Sequence, residues 1–140
     1  MRRYLVIAHQ TLGSAELFHV LRERLAHGPA RFHLVVPELH ANGLVWTEGQ
    51  ARAEAKRRLE EARLKFLAEG LPVEGEVGDT NPVYAAAAVL RREGNGAFDE
   101  VIISTLPLGL SKWLRLDVPT RLQKSTKLPV HHVVASVARV

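Results

Sequence analysis

The feature that most constrains this chain is an alternation. Segments of strand length and of helix length succeed one another from end to end, five of the first kind and four of the second. Residues 4–8 (YLVIA), 32–36 (FHLVV) and 101–103 (VII) are almost wholly apolar, the pattern of strands buried on both faces of a parallel sheet. Val73, Gly75 and Val77 alternate with Glu74 and Glu76, as a half-exposed edge strand does. Residues 128–137 read as a last strand. Between the strands lie helical patterns. Leu17, Leu21 and Leu25, with Phe18, form a stripe behind a Ser14 cap, ended by Gly28 and Pro29. Residues 50–69 present Ala55, Leu59, Ala62 and Phe66 on one face, with Glu54–Arg58 and Glu61–Lys65 as i,i+4 pairs on the wet side. Asn81 caps and Pro82 opens a third helix with Val83, Ala87 and Leu90 inward. A fourth starts at Ser111 and is interrupted or restarted at Pro119, since a mid-helix proline costs about 3 kcal/mol. Such alternation, with right-handed crossovers, predicts an α/β fold. It is a single doubly wound parallel sheet with helices on both faces, one domain over residues 1–140.

In an open sheet of this kind, ligands bind beyond the carboxyl ends of the central strands. Two loops fall there. His9, Gln10 and Thr11 follow the first strand; Ser104, Thr105, Pro107 and Gly109 follow the fourth, with Ser111 and Lys112 close behind. The candidate ligand-binding set is therefore His9, Gln10, Thr11, Ser104, Thr105, Gly109, Ser111 and Lys112.

Other chemistry finds less support. There is no cysteine, which excludes disulfides and thiolates. The seven histidines show no paired metal-ligand spacing, and His131 and His132 are adjacent on a strand and so point to opposite faces. No phosphate-binding lysine loop, dinucleotide glycine fingerprint or nucleophile elbow occurs. No metal and no catalytic residue are assigned. The N-terminal apolar run is too short for a signal peptide, and no stretch reaches the roughly 20 apolar residues of a membrane span. A cytoplasmic protein without membrane or nucleic-acid partners is expected. The net charge of +4 favours anions. Lys112, Arg115, Arg121, Lys124 and Lys127 face one acid, Asp117; they form either a solvated helix face or an anion-attracting rim. Trp113, within that run, is expected to pack against the sheet or a dimer mate.

With its elements in order, nearly the whole chain resembles the universal stress protein family. YLVIAHQTLGS lies where that family has its first strand and an aspartate-bearing turn. VGDTNP is similar to its Gly-Asp-Pro turn, GLSKWLRLDVPTRL to its Gly-Leu-basic-basic-Leu-Leu segment and following helix, and LPVHHVV to its closing strand. The resemblance implies a universal stress protein-like (adenine nucleotide alpha hydrolase-like) sheet in the order 3-2-1-4-5, and a homodimer. Nucleotide-binding members carry G-x2-G-x9-G-[ST] after the fourth strand. Here the first glycine falls on Ser104 and the second on or next to Pro107, in a loop one residue shorter; Leu116 and Asp117 replace the final pair, only Gly109 of the spacer is kept, and His9 replaces the aspartate. Proline removes an N–H donor and Asp117 would repel phosphate.

The expected function is a non-enzymatic regulatory or small-ligand-sensing homodimer in stress response, without a cofactor and without ATP binding of the family type. A small anionic ligand is the expected partner. The alternatives are an interaction module with no ligand, and ATP or AMP held in another mode; a hydrolase using His9 as base is a distant third. If the last strand lies at an open edge, its apolar run would pair with a second copy through Val130, His132, Val134, Ser136 and Ala138, with Trp113 and Leu114 contributing.

Overall fold

The computed structural model describes residues 1–39, 48–94 and 96–136. Its strands are β1 (Arg2–Ile7), β2 (Ala30–Pro37), β3 (Val73–Gly78), β4 (Glu100–Thr105) and β5 (Val130–Val134). Its helices are α1 (Ala15–Ala26), α2 (Glu48–Ala68), α3 (Pro82–Glu93), α4 (Lys112–Arg115) and α5 (Val118–Thr126). All neighbouring strands are parallel, in the order β3-β2-β1-β4-β5. That is the sheet and order expected.

The strands alternate their cargo between two cores. Tyr4, Val6 and Ala8 of β1 and its exit, with Phe32, Leu34 and Val36 of β2, pack under α1 and α2 against Leu17, Leu21, Ala55, Ala62 and Phe66. Leu5, Ile7, Val35, Val101 and Ile103 face the other way, onto Ala85, Ala86, Val89, Leu90, Val118 and Leu122 of α3 and α5. Period-two side-chain alternation thus puts helices on both faces. No helix among the described residues is long and apolar enough to cross a membrane.

Local chemistry sets the helix ends. The Ser14 side chain accepts from the Leu17 N–H at 3.1 Å, a cap worth about 1 kcal/mol. The Asn81 side chain accepts from the Val83 and Tyr84 N–H groups, with Pro82 opening the helix. Near Pro119 the helical segment divides: α4 stops at Arg115, Asp117 adopts a left-handed conformation (φ 53°), and α5 starts at Val118.

Several expectations are corrected. In α3 Leu90 is buried as expected, but the other buried positions are Pro82, Ala85, Ala86 and Val89, whereas Val83 and Ala87 are half-buried. The sheet lies on the Ala85–Ala86 side, so the inward stripe is rotated by about one residue. Glu61 pairs with Arg57 rather than with Lys65; Glu54 pairs with Arg58 as expected and also with Arg57. β5 ends at Val134, short of the residues 128–137 read from sequence. His40, Asn42, Gly43 and Trp46 of the connection after β2, Asn95, and Val137 with Ala138 lie outside the described residues.

Candidate functional site

The winding of the sheet reverses between β1 and β4: one leads to β2, the other to β5 on the opposite side. Their exit loops part and leave a crevice. Seven of the eight residues expected there line one small cavity, namely His9, Gln10, Thr11, Ser104, Thr105, Ser111 and Lys112. Leu39, Leu106 and Trp113 complete its wall. The eighth, Gly109, is not part of it. With φ at 96° and open space around it, Gly109 turns the chain in a loop whose Leu110 and Ser111 N–H groups both donate to the Pro107 carbonyl.

The cavity measures about 60 Å³, room for roughly two waters at ~30 Å³ each. Hydroxyls dominate its lining. Thr11 Oγ1 and Ser104 Oγ are 2.6 Å apart and tie the two exit loops together. Thr105 Oγ1 donates to the Leu106 carbonyl at 2.9 Å and lies 2.8 Å from His132 Nε2. A hydroxyl has one proton, so with that proton on Leu106 the imidazole must be the donor. His132 is therefore not placed to deprotonate Thr105. Ser111 Oγ accepts from the Leu114 N–H and caps α4.

His9 is the exception among these satisfied groups. It is 3% exposed, and neither ring nitrogen has a hydrogen-bond partner among the described residues. Burial pushes its pKa down to about 4; the Arg58 guanidinium of α2 adds to this and the Glu54 carboxylate opposes it. At neutral pH the ring is uncharged and offers one N–H and one lone pair, both unmet. An unsatisfied buried polar group costs about 1–3 kcal/mol.

A second, larger pocket of about 370 Å³ continues outward from the first, sharing Leu39, Lys112 and Trp113 with it. It runs between the start of α3 (Asp79, Thr80, Asn81, Pro82, Tyr84) and the α4–α5 joint (Leu116, Val118, Arg121). The Asp79 carboxylate accepts from the Asn81 N–H at 2.8 Å, which fixes this turn. The sequence pointed to Arg121 as part of a basic rim, but not to Leu39, Asp79, Thr80 or Tyr84 as its companions. The available signal was the VGDTNP turn, which leaves β3 at the same end of the sheet as the other loops.

The positions aligned with the nucleotide-binding glycines do not form a phosphate cradle. Ser104 is buried in its bond to Thr11, Pro107 has no N–H, Leu116 is exposed, and the Asp117 side chain makes no capping bond.

At the level of sequence, no family model and no curated protein matches the chain. Solved structures do. A universal stress protein family protein from Arabidopsis thaliana, with AMP bound, superposes with a TM-score of 0.62 at 12% identity over 98% of this chain and 94% of that one. A universal stress protein in complex with cAMP gives 0.62 at 17%, over 96% and 98%. A protein of the same family from Burkholderia pseudomallei gives 0.56 at 17%, over 93% of each chain. The chain has the universal stress protein fold. The cavity just described lies at the strand exits of that universal stress protein fold, where its sheet changes winding direction.

Proposed function

We propose that this chain is a non-enzymatic, ligand-responsive regulatory module of the cytoplasm that holds a small molecule between the β1 and β4 exits. The observation that carries the reading is His9: a buried neutral imidazole, unpartnered at both nitrogens, on the wall of a hydroxyl-lined cavity. A ligand group with both a donor and an acceptor would satisfy it. The lack of turnover is inferred from the same hydroxyls, which are engaged with one another, with backbone or with a donating imidazole, and none of which is hydrogen-bonded to His9, the one free base of the cavity. Two solved neighbours hold AMP and cAMP. Here Pro107 and the free carboxylate of Asp117 oppose a triphosphate, and Mg-ATP is expected not to bind at low micromolar concentration in isothermal titration.

The deciding experiment is a native mass spectrum of freshly purified protein. A bound small molecule, lost in His9→Asn, is the expected result. A ligand-free spectrum, with no thermal shift across a metabolite panel, would replace this reading by that of an interaction module.

Homodimerisation through β5 is the second part of the proposal. β5 pairs only with β4 and so ends the sheet, and Val134 is 45% exposed there. Of the other expected contacts, Val130 packs against the α3–α5 core, His132 is held by Thr105, and Ser136 donates to Glu16 of α1 at 2.6 Å. Ala138 lies outside the described residues. The contact would therefore centre on Val134 and the unpaired backbone edge.

A further inference from the structure

The outer pocket differs from the hydroxyl-lined cavity in both charge and wall. Across the described residues most arginines have a carboxylate: Arg3, Arg22, Arg24, Arg57, Arg58, Arg63 and Arg92 are all paired. The side chains of Lys112 and Arg121, which line the outer pocket, form no ion pair or hydrogen bond among the described residues. Against them the pocket sets one carboxylate, Asp79, already accepting from the Asn81 N–H. The lining therefore carries a single surplus positive charge. Its walls are apolar and partly aromatic. Trp113 is half-buried, with Leu116 and Val118 on the same α4–α5 side, and Tyr84 of α3 across from them is 64% exposed, its hydroxyl without a partner among the described residues. At about 370 Å³ the space falls in the ~300–1,000 Å³ range of small-molecule sites.

Resting on the ligand-module reading above, we propose that the ligand of this crevice is a flat aromatic carboxylate. Its ring would lie along Trp113, Leu116 and Val118, and its carboxylate between Lys112 and Arg121. A carboxylate answers one surplus charge, and a planar guanidinium meets it in two parallel hydrogen bonds. A phosphate dianion is answered less well. It would need backbone N–H donors that the Pro107 turn lacks, and the unpaired Asp117 sits between two lining residues. The wall selects rings because Trp and Tyr offer large rigid faces at little entropic cost.

The test uses 2-naphthoate, its neutral counterpart 2-naphthylmethanol, and AMP, each titrated calorimetrically into the whole protein. Naphthoate is expected to bind at least about tenfold more tightly than the alcohol, a difference of about 1.4 kcal/mol. Arg121→Gln with Lys112→Gln, both at exposed positions that leave the fold intact by circular dichroism, should abolish that difference and leave the alcohol's affinity in place. Trp113→Leu should weaken both. Equal affinities for acid and alcohol, or a preference that survives the double substitution, would overturn the assignment. So would AMP binding where naphthoate does not, since that selects a phosphate. Failure of naphthoate alongside a co-purified ligand lost in His9→Asn would sink this inference and leave the broader reading standing.

Discussion

The two wings of the sheet are built from the same kinds of residue and treat them in opposite ways. In the β2–α2–β3 wing every acid from Glu54 to Glu76 has a basic partner, although Arg31, Arg52, Lys56 and Lys65 form no ion pair among the described residues. Arg57 reaches both Glu54 and Glu61, Arg58 shares Glu54, Arg63 takes Glu60, and the edge carboxylate Glu76 is held by His33 and by Arg92 of α3. In the β4–α4–α5–β5 wing, Lys112, Arg115, Arg121, Lys124 and Lys127 form no ion pair among the described residues, and Asp117 is equally free. The edges follow suit: β3 carries Glu74 and Glu76, β5 an exposed Val134. Helical spacing explains the difference. In α2 acids precede arginines by three or four residues, where side chains meet; around α4 and α5 no acid stands at such a distance from a base except Asp117, which the left-handed turn removes from the helix. One wing ties down all its acids from Glu54 to Glu76, while the other leaves Asp117 and five bases unpaired beside an apolar edge.

The comparison is broken most severely at Gly75. A Cβ there would stand 2.6 Å from Leu59 Cδ1 and 2.8 Å from the Leu34 carbonyl oxygen, and backbone cannot yield as a side-chain tip can. Gly75→Val should cost about 3 kcal/mol in urea denaturation, the upper end for overpacking. Gly109 in the other wing has open space but a φ of 96°, so Gly109→Ala should cost nearer 1 kcal/mol. Equal costs would mean that α2 is not seated tightly on β3.

His9, at the crevice between the wings, comes next. Its pKa is lowered in the folded protein to about 4 from 6.5, so the unfolded chain binds more protons in between. Stability should therefore fall as pH drops from 6.5, by at most about 1.4 kcal/mol per unit. Glu16, Glu54, Glu60 and Glu76, whose pKa values are all lowered, lose their contribution only below about 4.5. Between pH 6.5 and 4.5 thermal melts therefore report the histidines; burial lowers the pKa of His132 as well, so His9→Asn should reduce the slope there without abolishing it. An unchanged slope would show that the imidazole is not held neutral.

The edges differ by a smaller step. Val134→Lys should raise the dimer dissociation constant about tenfold or more in sedimentation, and a wild type that is monomeric at micromolar concentration would remove the contrast. Smallest are the charges. Glu54→Gln should cost up to about 1 kcal/mol, less at high salt, whereas Arg115→Gln should change stability by no more than about 0.5 kcal/mol. A salt-sensitive loss at Arg115 would reveal a hidden partner and undo the asymmetry.

Most of the fold was legible because burial on both faces writes itself as continuous apolar runs, and caps such as Ser14 and Asn81 write themselves as single letters. The inner cavity was legible for a topological reason: once β1 and β4 are neighbours, their exit residues must meet. What failed were claims that depend on rotation or reach. The inward face of α3 turns on how the helix is rolled against the sheet, and four of its first seven positions offered alanine either way. Gly109 was assigned to the cavity because it follows the right strand, yet a residue without a side chain leaves no mark of which way its loop leans. The outer pocket was hidden for a different reason. It joins a turn after β3 to a helix joint some thirty-five residues later, and no local pattern records such a meeting.

The central position of β1 also has a consequence in time. Its first neighbour, β2, follows within a short stretch, but Tyr4 meets Glu100 on the other side only when ninety-six further residues have been made. Until β4 emerges from the ribosome, a nascent sheet of β3, β2 and β1 would have only α3 to cover Leu5 and Ile7, and would present the whole of β1 as an unpaired edge. Parallel pairings this distant close slowly, because loop entropy must be overcome before the contact returns anything. The strand that anchors the finished crevice is therefore the one that waits longest for its second partner during synthesis, and the growing chain is most vulnerable to mispairing along the seam where His9 will come to rest.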